Sequence, residues 1–256
     1  MAEPAKQSGS ILSKSHVEFV ITSGEEELSG CTLISGFYGI GKVGFIAVNH
    51  MVAALNARLI GYIVTDFLPP FLSVKDERLV LPFEIYRYED IIFINAYFEP
   101  YKLEHRSFAE QVVNWCEANK FEQLLLVGGL DSRLRVDEEV LAKGVFTSKY
   151  KKLHPDVKLD LMDEGLFITG PMALILMYSE IRQYPAIGIM PYAERSRPDP
   201  IAASHAVELI NDLLGLDCGI DELIQEAESI ENEIQSMEGV LEEDREEEDR
   251  NRGMFL

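Results

Sequence analysis

Between Cys31 and Thr65 the chain runs through a short apolar segment, a glycine-rich turn, a stretch with helical apolar spacing and a second apolar segment. That succession requires a sheet with a helix laid across it, so it commits the chain to the α/β class. Cys31 to Ser35 reads as a strand, and Gly36, Gly39, Gly41 and Gly44 supply the turn. In the helix expected over Lys42 to Asn56, Val43, Ile46, Ala47, Met51, Ala54 and Leu55 recur at helical spacing, and Leu59 to Thr65 is the next strand. Upstream, His16 to Thr22 alternates as a strand does. Downstream, Phe71 to Val74, Arg78 to Leu81, Glu84 to Tyr88 and Ile91 to Tyr97 are successive strand-like runs, which predict an antiparallel meander.

The α/β alternation then resumes. Phe108, Val112, Trp115 and Cys116 give a helix over Ser107 to Asn119, and Gln123 to Val127 is a buried strand. Residues 130–161 are expected as loop, with strands near Gly144 to Ser148 and Val157 to Leu161. Gly170 and Pro171 open a helix over Met172 to Gln183, because proline is tolerated in a first helical turn. Ala186 to Met190 is a further buried strand, and Asp199 and Pro200 start a helix that ends at Leu214 before Gly215. The expected product is an α/β sandwich with a mixed sheet.

Composition narrows the function. With 256 residues, 47% of them apolar, the chain can fill one large core. It has no apolar run near the roughly 18 residues of a membrane span, and Met1 to Ser10 is polar, which predicts a soluble cytoplasmic protein with no membrane partner. Cys31, Cys116 and Cys218 are odd in number and far apart, so neither a disulfide framework nor a zinc cluster is expected. The net charge of -21 repels phosphate backbones, so nucleic acid is excluded as a partner. More than half of that charge, -12, falls between Asp217 and Leu256, which hold 15 acidic and 3 basic residues. The chain therefore divides into an α/β body, 1–216, and a C-terminal helix with an acidic tail, 217–256.

Gly39, Gly41 and Gly44 spell G-x-G-x-x-G between strand and helix, and Asp66 lies at the end of the next strand, as in a dinucleotide-binding fingerprint. Against that reading, a meander follows where a Rossmann half would continue with a helix. Read from Gly36 the stretch gives G-x-x-x-x-G-K, but Val43 follows and has no hydroxyl for magnesium. The competing reading is structural, with glycines permitting a tight turn and close helix-to-sheet packing. The five histidines, His16, His50, His105, His154 and His205, have no ligand spacing, and no G-x-S-x-G occurs. No catalytic, cofactor-binding or metal-ligating residue is assigned.

The tail carries a different signal. Ile220, Leu223, Ala227, Ile230, Ile234, Met237 and Leu241 alternate three and four apart, the seam of a coiled coil. Asp221, Glu222, Glu226, Glu228, Glu231 and Glu233 lie between them, so two such helices would repel unless a basic surface intervened. The seam forms either a free-standing coiled coil or a helix packed on the body or on a neighbouring subunit.

Several stretches together resemble the archaeal homologues of the second eukaryotic proteasome assembly chaperone. These are ISGFYGIGKVGFIAVN from Ile34 to Asn49, the segment ending Asp66-Phe67-Leu68-Pro69-Pro70, KDERLVLP from Lys75 to Pro82, LLVGGL from Leu125 to Leu130, TGPMALIL from Thr169 to Leu176, and Asp199 to Ala203. The resemblance implies a three-layer α/β/α sandwich similar to the purine nucleoside phosphorylase fold, no established catalysis, homo-oligomers and binding to proteasome subunits. The glycine loop Gly36, Gly39, Gly41 and Gly44 would then be a scaffold feature. Members of this family often end in a hydrophobic residue, a tyrosine and any residue, which insert between α-ring subunits. Here Met254, Phe255 and Leu256 take those places, so ring burial and carboxylate capture are kept while the phenolic hydrogen bond is lost. The expectation is a non-enzymatic homo-oligomeric chaperone or adaptor that binds proteasome α subunits or another client through its apolar tail. Its rival is a nucleotide- or dinucleotide-dependent enzyme using the Gly36 to Gly44 loop.

Overall fold

The computed structural model describes residues 15–225 except 76, together with 227 and 229. Its strands are β1 (Val17–Ile21), β2 (Thr32–Gly36), β3 (Arg58–Thr65), β4 (Ser73–Lys75), β5 (Arg78–Val80), β6 (Phe83–Tyr88), β7 (Ile91–Ala96), β8 (Gln123–Val127), β9 (Leu130–Asp131), β10 (Ala142–Phe146) and β11 (Ala186–Ala193). Its helices are α1 (Val43–Ala54), α2 (His105–Ala118), α3 (Ser148–Leu153), α4 (Gly170–Ile181), α5 (Pro200–Leu214) and α6 (Asp221–Gln225). The main sheet runs β1-β3-β6-β7-β2-β8-β11-β10, with β9 added beside β11. Pairings among β7, β2, β8 and β11 are parallel, and those toward both edges are antiparallel, so the sheet is mixed.

Strand alternation sorts the core into two halves. Ile34, Phe93, Leu125 and Ile187 point to one face, where α1 and α5 pack. Their neighbours Leu33, Ile92, Leu124 and Ala186 point to the other, where α2 and α4 pack. Every residue of β2, β7, β8 and β11 is buried, as expected of strands covered on both sides.

Three expectations need correction. The Phe71 to Val74 and Arg78 to Leu81 runs do not join the main sheet; β4 and β5 pair only with each other. The strand expected near Gly144 to Ser148 forms two residues earlier as β10, and α3 follows it, capped by Thr147, whose hydroxyl accepts from the Tyr150 N–H. No strand forms at Val157 to Leu161, where a single bridge joins Leu161 to Gly144. A six-residue helix shows too little periodicity to be read from sequence, and its lysines hide the one buried side chain, Tyr150.

Candidate functional site

The glycine loop closes on its own scaffold. A Cβ on Gly36 would stand 2.1 Å from the Gly44 carbonyl oxygen, and one on Gly44 would stand 2.4 Å from that of Val127. Gly41 has φ +60 and faces Ala193 and Asp199, and its carbonyl accepts from the Asp199 N–H at 2.8 Å. Gly39 alone of the four opens onto free space. Asp66 is far from this loop in the sheet order, because β7 and β6 separate β3 from β2. At about 4.8 Å per strand, that offset is roughly 14 Å. The Asp66 carboxylate instead accepts from the His16 N–H at 2.6 Å.

Beside the loop, at the carboxyl ends of β2, β8 and β11, lies a cleft of about 470 Å³. Met172 and Met190 form its floor, and their sulfur atoms would meet a Cβ on Gly128 at 2.8 and 2.9 Å. Phe167, 81% exposed, stands at its rim. Asp131 is gripped by the Arg133 guanidinium at 2.9 and 2.6 Å, which holds its carboxyl down at about 2. A carboxylate held ionised in this way is a poor proton carrier at neutral pH.

Among the described residues, the carboxylates and thiols that shift all move away from neutral pH. The shifted carboxylates, Glu26, Asp131 and Glu180, all move down, and burial pushes the thiols of Cys31, Cys116 and Cys218 up. No group of three or more His, Cys, Asp or Glu side chains among them could hold a metal ion. Nor is any described helix long and apolar enough to cross a membrane.

The root of the C-terminal segment is fixed firmly. After Gly215 ends α5 with φ +68, the Asn211 side chain clips Cys218, donating to its carbonyl at 2.9 Å and accepting from its N–H at 3.1 Å. The His50 Nε2 lies 2.6 Å from the Gly219 carbonyl oxygen. Leu223 is buried and Ile220 packs beside it against the α1 and α5 core, while Ala227 is half-buried. The other seam residues, Ile230, Ile234, Met237 and Leu241, and the terminal Met254, Phe255 and Leu256, lie outside the described residues.

Sequence reasoning missed one surface. On the outer side of α4, Met177 is 56% and Ile181 72% exposed, with Leu174 and Tyr178 half-buried in line with them. The signal was present in Met172 to Ile181, which is apolar around the whole helix, a pattern that calls for cover on both sides. A second exposed group joins Leu103 and the stacked rings of Phe67 and Tyr101.

Residues 33–238 match the family model described as PAC2 family. The chain is 26% identical over 215 residues to the Methanocaldococcus jannaschii protein MJ0106, covering 82% of this chain and 87% of that one. It is 25% identical over 123 residues to proteasome assembly chaperone 2 of Bos taurus, covering 43% of this chain and 46% of the bovine protein. Among solved structures it is similar to Pyrococcus furiosus PbaA, an archaeal homologue of proteasome-assembly chaperone, with a TM-score of 0.78 and 27% identity over 90% of this chain and all of that one.

Proposed function

The chain belongs to the PAC2 family, and on that premise we propose that it is a non-enzymatic, homo-oligomeric chaperone or adaptor of the proteasome-assembly type. The observation that carries this reading is the likeness to PbaA over nearly the whole chain, joined by the bovine assembly chaperone. The α1 and α5 layer and the α2 and α4 layer are in keeping with a phosphorylase-like sandwich used as a scaffold. The self-packed Gly36, Gly41 and Gly44 support a structural role for the loop, and the distance to Asp66 speaks against the dinucleotide alternative.

In this reading the α4 stripe supplies a subunit contact in the cytoplasm. In it, Met254, Phe255 and Leu256 engage a proteasome α subunit or another client. Co-sedimentation of the full chain with proteasome α subunits, alongside native mass measurement, tests it. Deleting Met254, Phe255 and Leu256 should abolish client binding and leave the fold intact. Phe255→Tyr should tighten binding to an α ring by a few-fold to about ten-fold, since one hydrogen bond is worth about 0.5 to 1.5 kcal/mol. Equal binding by intact and truncated chains would remove the tail from the mechanism.

A further inference from the structure

On α5, His205, Glu208, Leu209, Asp212 and Leu213 recur at helical spacing and form one wall of a groove at the β10 edge of the main sheet. Two adjoining hollows of about 550 and 680 Å³ make up the groove and share Lys158, Leu159, Leu209 and Asp212. Across from α5, Leu141, Leu153, Val157 and Leu159 give it an apolar lining, and Leu141 and Leu153 are left 42% and 53% exposed. Gln123 lines it from β8; only 7% exposed, its side-chain oxygen lacks a hydrogen-bond partner among the described residues. The rim is acidic. Glu139, Asp156, Glu208 and Asp212 line it without an ion-pair partner among the described residues, while Asp160 shares Lys143 with Asp163 at 3.6 and 3.4 Å. Lys158 is the one lysine or arginine among the lining residues, which also include His154 and His205.

We propose that this groove docks a basic segment of another protein, one that carries lysine or arginine among leucine-like side chains. Charge selects the occupant, because carboxylates without a cation outnumber the single lysine and an opposite charge gains from all of them. The same field turns away this chain's own 217–256 stretch, with its 15 acidic and 3 basic residues, and works against a second copy carrying -21. Charge alone does not fill the groove. A simple polyamine would leave Leu141 and Leu153 in water, whereas a peptide with apolar anchors covers them. An N–H donor of the occupant laid over Gln123 supplies what its side-chain oxygen lacks. From His205 to Leu213 α5 advances about 12 Å, room for about four extended residues or two helical turns of the partner. This surface goes beyond the tail reading and does not depend on Met254, Phe255 and Leu256.

The probe is a short fluorescent peptide of leucines and lysines at helical spacing, titrated into the full chain beside the same peptide with glutamate in place of lysine. Only the lysine peptide is expected to bind. Glu208→Lys with Asp212→Lys changes two exposed α5 positions, so circular dichroism should be unaltered while affinity for the probe falls by about ten-fold or more. Glu18→Lys with Glu25→Lys makes the same change in net charge on and beside β1, the opposite edge of the sheet, and should cost less than about two-fold. Leu141→Ser with Leu153→Ser should weaken binding by about three-fold through lost apolar contact. Carbodiimide should join probe lysines to Glu139, Asp156, Glu208 or Asp212. Absence of binding, equal binding of the glutamate peptide, equal loss in the two charge variants, unchanged affinity in the serine variant, or cross-links confined to 226–256 would overturn the proposal, whatever co-sedimentation with α subunits reports.

Discussion

Arg78 grips the carboxylate of Glu84 with both terminal nitrogens, at 2.7 and 3.0 Å, and thereby ties the β4–β5 ribbon to the main sheet. Glu84 is fully buried, and the Leu81 N–H and the Tyr86 hydroxyl complete its coordination. The same interaction pushes the Arg78 guanidinium up and leaves it charged at any working pH. Arg78→Ala would strand a buried carboxylate, so a loss of about 3 kcal/mol is expected. Thermal unfolding should report it, and Arg78→Met combined with Glu84→Gln should recover much of the loss.

Glu26 predicts an acid limb in the stability profile. Burial pushes its carboxyl up, but hydrogen bonds from Ser23, Arg58 and Arg87 prevail and hold it down at about 2. A carboxyl lowered in the folded state contributes stability that is complete above its unfolded value of 4.5 and is lost as the pH falls toward 2. Glu26→Gln should therefore flatten the fall in denaturant midpoint between pH 4.5 and 2 and leave little pH dependence from this site. An unchanged acid limb would show that other carboxylates dominate it.

The glycine loop predicts an unequal response to one methyl group. Gly44→Ala places a Cβ against the Val127 carbonyl, and backbone on both sides has no room to yield. A cost above about 3 kcal/mol is expected, read as loss of soluble protein or a sharply lowered melting temperature. Gly39→Ala, with nothing within 4 Å, should change stability by less than about 1 kcal/mol.

The α4 stripe predicts an assembly defect without a folding defect. Met177→Glu with Ile181→Glu adds charge at positions already more than half exposed, so monomer stability should shift by no more than about 0.5 kcal/mol. Native mass should fall to a smaller species if this face joins subunits. An unchanged mass would move the subunit contact elsewhere, with Phe67, Tyr101 and Leu103 the next group to test.

Sequence alone determined the elements whose apolar period is long or whose ends carry their own chemistry. α1, α2 and α5 follow from side chains three and four residues apart, and Asp199, Pro200 and Gly215 punctuate α5 in the chain itself. The buried strands β2, β8 and β11 follow from short apolar runs bounded by glycine or proline. Those signals act between residues a few positions apart, so they survive in a linear reading. Tertiary structure alone decided that β6 and β7 insert between β3 and β2, which parts Asp66 from the glycine loop that its spacing appointed it to serve. It also decided that Arg58 and Arg87 converge on Glu26, 32 and 61 residues away. Strand order and side-chain convergence depend on contacts between segments tens of residues apart, and local periodicity carries no record of which segments will meet.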